Sequence, residues 1–386
     1  MERHMTLEAS AHLTAVNKEE LARSLRKIYA HGANLVIGWY LSANGIKVLH
    51  LPSYALSMTP GFSAHTLTRG KFIKKEADFH RLSNMGAKVT NVPLSFDISN
   101  DSSTISTVDR LVRQFSISYY PWRCISLFDM TGFSKYEPFE KITLITMLSH
   151  HITVAADKCR QLELPVDIHM TPTDDGFYVW NERVGTGADV ALYTVTMLTL
   201  IYNHAALGVA RHAAVPNLRC CVTFGEHFEY FQHRAESRET QALIVGDITV
   251  ELDRMMSAAV DNQILIGSHQ RRAKEGRVVD TPRFVKLAQS GLDRLIGMQI
   301  PGGKIAGVRG YLTGERAETI TFDDAADDID AKHDFHPACF NAKIDVTNEA
   351  GDEDQIGCLD SDLDGFSALP VEKEARTANA DETVDA

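Results

Sequence analysis

Two aspartates stand where apolar runs meet glycine-containing turns, and they restrict the fold more than any other feature of the chain. Cys124-Ile125-Ser126-Leu127-Phe128 reads as a buried strand that runs directly into Asp129, followed by Met130-Thr131-Gly132-Phe133-Ser134. Further on, Thr173-Asp174-Asp175-Gly176 turns into the apolar segment Phe177 to Trp180. A carboxylate at the end of a buried strand is costly unless a charge or hydrogen bond compensates it. The small residues after Asp129 would bring backbone amides to where an anion could rest. An ordinary strand-to-helix junction with an Asp at its turn has the same appearance. If Val166 to Met170 and Phe177 to Trp180 form a hairpin, Asp175 lies at its turn. Were that turn beside the end of the Asp129 strand, two carboxylates would share a pocket, and a divalent cation would relieve their repulsion.

The surrounding pattern alternates strands with long helices. Helices are expected over about Pro138 to Leu162, Asp189 to Ala210 and Ile248 to Ala259, with strands at Leu218 to Phe224, Ala242 to Val245 and Gln263 to Ile266. Short strands mixed with long helices predict an α+β sandwich, helices packed on a mostly antiparallel sheet. Ahead of it, residues 17–115 read as a small α+β unit, a possible sensor or dimerisation module. Asn17 with Glu20 suggests a capping box for its first helix, and Ser42-Ala43-Asn44-Gly45 suggests a hairpin turn between Asn34–Leu41 and Ile46–Leu51. Residues 1–16 are expected to be a flexible N-terminus, 118–316 the main domain, and 317–386 an acidic, largely disordered tail.

Charge is distributed unevenly. The chain holds 39 Lys+Arg and 51 Asp+Glu, a net of -12. From Glu318 onward there are 20 acidic and 4 basic residues, which leaves 35 basic and 31 acidic residues before it, a net of +4. The acidity belongs to the end of the chain, and the remainder lacks the basic excess that duplex binding needs, so no nucleic-acid partner is expected. The six cysteines form no CxxC pair and no zinc spacing. Val190 to Ile201, the most apolar window, is shorter than the roughly 20 residues that span a bilayer, and it contains three threonines. With no secretory pattern at the start, a cytoplasmic protein without a membrane partner is expected.

Four segments, taken in order, resemble the class III nucleotidyl cyclases, the adenylate and guanylate cyclase homology domain. LFDMTGFS (Leu127 to Ser134) is similar to that family's first metal-Asp motif, and TDDGFYVW (Thr173 to Trp180) to its second metal-Asp turn, with Asp174 in place of the first glycine. LRCCVTFGE (Leu218 to Glu226) resembles its Arg-x-Gly-x-His-x-Gly-Glu strand, keeping Arg219, Gly225 and Glu226. VGDITVELDRMMSAA (Val245 to Ala259) is similar to its Gly-Asp/Asn-x-x-Asn-x-x-x-Arg helix, keeping Gly246, Asp247 and Arg254. The resemblance covers about Trp122 to Gly314 and implies a lyase that converts a nucleoside triphosphate to a 3′,5′-cyclic nucleotide and pyrophosphate. It implies that Asp129, Asp175 and the Met130 carbonyl hold two divalent cations, Mn²⁺ or Mg²⁺. The amides of Thr131, Gly132, Phe133 and Ser134 would hold phosphates, and Arg254 would stabilise the transferring phosphate. A head-to-tail homodimer is implied, in which the arginine reaches the partner's site.

The resemblance breaks at three places. Thr171 and Leu243 stand where purine cyclases carry their base-reading pair, and Val250 stands where an Asn orients the ribose. Arg219 has a structural ion pair as its plainest role. Either the chain is a non-catalytic regulatory module, or its substrate has changed. Loss of the purine readers with retention of both metal aspartates resembles the bacterial anti-phage cyclases of the Pycsar type. That likeness implies UTP or CTP as substrate, cUMP or cCMP as messenger, a base pocket at Thr171 and Leu243, and a downstream effector. An adenylate or guanylate cyclase with an atypical base pocket is the alternative.

Overall fold

The computed structural model describes residues 13–55, 64–84, 86–209, 215–233, 240–272, 278–321 and 334–369. The chain divides into two compact units, Met1–Arg123 with Gly225–Thr249, and Cys124–Phe224 with Val250–Ala386.

In the first unit, helix α1 (Ala15–Tyr29) begins at Thr14, whose side chain accepts from the Asn17 amide at 3.2 Å. The expected cap at Asn17 is thereby corrected. Glu20 is drawn away instead, accepting from the Ser95 amide at 2.7 Å and from the Ser95 hydroxyl. The helix start at Ala15 also shortens the flexible N-terminus expected over 1–16, of which residues 1–12 lie outside the described residues. Strands β1 (Asn34–Ser42) and β2 (Gly45–Pro52) form the expected hairpin, with Ser42 opposite Gly45. Strand β3 (Lys88–Pro93) adds antiparallel to β2. Alternate residues face opposite sides of a strand, so this small sheet has a core on each face. Val36, Trp39 and Val48 pack with Leu21 and Leu25 of α1 and with Val108 and Val112. Leu35, Ile37 and Leu49 pack with Phe79 and Leu82 of α2 (Glu76–Asn84). The buried Asp109 on α3 (Ser102–Arg113) accepts from Trp39 Nε1 at 2.9 Å and from the Phe72 and Ile73 amides at 2.8 and 2.9 Å, and it pairs with Arg113.

Later sequence completes this unit, which the expected boundary at residue 115 does not allow for. Strand β4 (Ile117–Met130) enters from it, and the second half of β7 (Leu218–His233) pairs there with β8 (Thr240–Val245). Arg123 and Glu229 form a fully buried ion pair at 3.2 Å, with the guanidinium 3.5 Å above the Tyr120 ring. Beside them, burial and the Arg123 charge lower the His227 imidazole to about 4.

The second unit is built on one large sheet. It contains α4 (Pro138–Gln161), β5 (Ile168–Pro172), β6 (Gly176–Asn181), α5 (Thr186–Val209), the last turns of α6 (Asp247–Ser257), β9 (Ile264–Gly267), α7 (Thr281–Leu292), β10 (Gly303–Arg316), β11 (Cys339–Asn348) and β12 (Glu353–Ile356). Strand order is β10-β11-β9-β7-β4-β6-β5, with β12 paired to β11. β7 and β9 run parallel, while β4/β6, β5/β6, β9/β11 and β10/β11 are antiparallel. The α+β sandwich expected from the sequence is the fold observed.

The tail expectation is corrected. Cys339, Phe340, Ala342, Ile344 and Val346 are buried in a strand between β10 and β9, so the folded domain does not end at residue 316. Residues 322–333 and 370–386 lie outside the described residues. α5 is long and apolar enough to cross a bilayer by length and composition, yet most of it is buried within the fold. Its threonines are compatible with that burial because Thr194, Thr196 and Thr199 each donate to the carbonyl four residues earlier, at 2.8–2.9 Å. All six cysteines are buried, and none is in a disulfide.

Candidate active site

Period-2 alternation sorts the residues of β4. Ser126 turns toward α5, where its hydroxyl meets that of Thr196 at 2.7 Å, while Leu127 and Asp129 line a cavity on the other side. The β5/β6 hairpin then aligns with β4. Asp129 lies opposite Gly176, and the Met130 amide donates to the Asp175 carbonyl at 2.9 Å. Gly176 is obligatory at this crossing, since a Cβ there would lie 1.8 Å from the Phe128 carbonyl oxygen. Close strand contact thus brings Asp129 and Asp175 together, as the hairpin reading anticipated.

The two carboxyls share a hydrogen bond. Burial first, then that bond and the charge of Asp129, raise the Asp175 carboxyl to about 6, against the opposing pull of Arg219. Arg219 on β7 donates through Nε to Asp129 Oδ2 at 2.8 Å, and a second guanidinium nitrogen closes the pair. Its third nitrogen donates to the Ala259 carbonyl at 3.0 Å, just beyond α6. The ion pair expected for Arg219 is present, and its partner is the site aspartate itself. Thr173, Asp253, Met256 and Ser257 complete the lining of this cavity, which measures about 260 Å³. The Tyr178 hydroxyl donates to Asp253 Oδ1. Sequence reasoning missed both residues, because Tyr178 looks like one more apolar strand position and its partner lies far along the chain.

The donor chemistry fits a hard divalent cation. Two carboxyls close enough to share a proton are where such a cation would replace it, and the Met130 carbonyl follows directly. Among the described residues no cluster of three or more His, Cys, Asp or Glu side chains could hold a metal, so further oxygens would have to come from backbone, water or ligand.

The amides of the turn after Asp129 divide into bonded and open ones. The Thr131 amide is spent on the Asn217 carbonyl at 2.9 Å, which corrects its expected phosphate role. Gly132 takes the left-handed conformation, φ 69°, and starts a short 3₁₀ turn at Phe133–Lys135. The Gly132, Phe133 and Ser134 amides have no backbone acceptor among the described residues. In the same turn, the buried Thr131 hydroxyl has no hydrogen-bond partner among the described residues. Arg254 is exposed on α6 and does not line the cavity. Thr171 is half-buried on β5 opposite Tyr178, outside the lining, and Leu243 is half-buried on β8 in the first unit. Val250 is exposed.

No protein-family model matches the chain, and no curated protein does. Solved structures similar to it include the guanylyl cyclase Cya2, at 12% identity over 60% of this chain and 93% of that one, TM-score 0.33. The guanylate cyclase domain of RhGC from Catenaria anguillulae in complex with GTP is similar at 12% identity over 60% and 98%, TM-score 0.33. The adenylyl cyclase CyaB from P. aeruginosa is similar at 13% identity over 43% and 93%, TM-score 0.32. At such values, what the chain does has to be argued from its own residues.

Proposed function

We propose that this chain is a divalent-cation-dependent nucleotidyl cyclase, converting a nucleoside triphosphate to its 3′,5′-cyclic monophosphate and pyrophosphate. The observation that carries the reading is the meeting of Asp129 and Asp175 in one cavity beside Arg219. Asp129, Asp175 and the Met130 carbonyl would hold two cations, Mn²⁺ or Mg²⁺. When bound, these would neutralise the triphosphate and make the ribose 3′-hydroxyl acidic. The Gly132, Phe133 and Ser134 amides would meet phosphate oxygens. Arg219, beside Asp129, would offer its guanidinium to an anionic oxygen of the substrate. The 3′-oxygen bonds to the α-phosphorus, the α–β bridging bond breaks with its electrons on pyrophosphate, and the hydroxyl proton passes to solvent. Arg254 stands apart from its own chain's cavity, which supports a homodimer in which it reaches the partner's site and stabilises the transferring phosphate.

The base is the finer part of the proposal. Thr171 is short and uncharged, and Leu243 is apolar, so neither supplies the charged group that would read a purine edge. We assign UTP or CTP on that ground, with the cyclic product a messenger for a downstream effector. Purified protein with Mn²⁺ and each of ATP, GTP, CTP and UTP should release pyrophosphate from a pyrimidine nucleotide, and Asp129→Ala and Asp175→Ala should each abolish release. Full turnover by either variant overturns the reading. The Arg219–Asp129 pair also favours a second reading, a nucleotide-binding module without turnover. That reading predicts saturable nucleotide binding and no pyrophosphate in the same assay.

A further inference from the structure

The cavity holds a third carboxylate, Asp253, that the chemistry above does not use. It lies outside any cation cluster, since no three acidic or ligating side chains converge among the described residues. It is nonetheless held in place. Tyr178 lies opposite Leu127 on β4, a residue that lines the cavity, and its hydroxyl donates to Asp253 Oδ1. Burial, and then that bond, push the phenol well above its ordinary range, so Tyr178 remains a fixed donor across the physiological range. Asp253 Oδ2 has no donor among the described residues. One oxygen is therefore anchored and the other is available to a ligand.

A lone carboxylate in such a position repels phosphate and accepts hydrogen bonds from hydroxyl or N–H groups. Two groups of a nucleoside triphosphate offer these, the sugar and the base. The cavity is about 260 Å³, and Asp253 shares it with Asp129 and Asp175. The part of the substrate covalently next to the phosphates is the ribose, so with the phosphates at Asp129 and Asp175 the sugar is the group nearest to Asp253. The 3′-hydroxyl is committed to attack. We infer that Asp253, positioned by Tyr178, accepts a hydrogen bond from the ribose 2′-hydroxyl and selects ribonucleotides over 2′-deoxyribonucleotides. This rests on the cyclase reading, and it puts a sugar-orienting group on the same helix as Val250, in the same chain as both cation-holding aspartates.

The test compares kcat/KM for each ribonucleoside triphosphate with that for its 2′-deoxy counterpart, with Mn²⁺, in the full chain. Both members of a pair retain the 3′-hydroxyl, so both can cyclise. The ribose form should be preferred by roughly 10- to 100-fold, the range of a hydrogen bond to a charged acceptor. Asp253→Ala should bring that ratio to near one by slowing the ribonucleotide alone, and Tyr178→Phe should lower it partway. A merely structural role would slow both sugars together. A ratio unchanged in Asp253→Ala while cyclisation persists overturns the inference and leaves the cyclase reading standing. Wild-type protein that neither turns over nor binds any ribonucleotide, measured by calorimetry with Mn²⁺, removes both.

Discussion

Replacing Asp175 by Asn should stabilise the cation-free protein at pH 8 while abolishing turnover. The folded chain holds the Asp175 proton to about pH 6, whereas an unfolded carboxyl releases it near 3.8. Between those values the folded state binds more protons than the unfolded state, so wild-type stability falls as pH rises from about 4 to about 6 and is level above. Fully expressed, a displacement of that size corresponds to about 3 kcal/mol. Asp175 is only half-buried, and solvent screening reduces the expected cost to about 1 kcal/mol. The amide retains a hydrogen bond to Asp129 and removes the like charge. Thermal unfolding in chelator at pH 8 should therefore place the Asn variant about 2–4 °C above wild type. The gap should close at pH 4, where the wild-type carboxyl is also neutral. Added Mn²⁺ should raise the wild-type midpoint and leave the variant unmoved. A variant less stable than wild type at pH 8, or a gain that persists at pH 4, would refute the claim that the two carboxyls repel across a shared site.

Other consequences can be checked separately. Gly176→Ala forces a Cβ onto the Phe128 carbonyl oxygen at 1.8 Å, so it should cost about 3 kcal/mol in denaturant melts and abolish Mn²⁺-dependent nucleotide binding by separating β6 from β4. Glu229→Gln removes the carboxylate charge paired with the fully buried Arg123 and should cost about 3–5 kcal/mol, whereas Arg160→Ala, at an exposed ion pair, should cost under about 1 kcal/mol in the same melts. His227 is held near 4 when folded, so the unfolded chain binds its proton first and stability should fall as pH drops from about 6.5 toward 4. His227→Gln should remove that part of the acid sensitivity.

The site's central pair was legible because its geometry is local. A turn of a few residues links β5 to β6, and one strand pairing carries Asp175 to Asp129. Arg219 was legible as half of an ion pair but not as a member of the site, since its partner depends on β7 lying next to β4. Nothing in the sequence joins Tyr178 to Asp253. β11 is a different kind of miss. Phe340, Ala342, Ile344 and Val346 alternate with more polar positions as a strand should, but averaging composition over a long acidic stretch hid a signal of ten residues. At α1, Thr14 and Asn17 are both competent caps three residues apart, and only packing decides between them.

The seating of β11 between β10 and β9 has a consequence for biogenesis. A ribosome finishes Gly267, the end of β9, some 80 codons before it finishes Asn348, roughly 4–16 s earlier at ordinary elongation rates. Throughout that interval β9 has its β7 side made and its other edge bare, a template for wrong partners. The nascent protein thus carries Asp129, Asp175, Arg219 and Asp253 on an unfinished scaffold, and its large sheet closes only with one of the last strands translated.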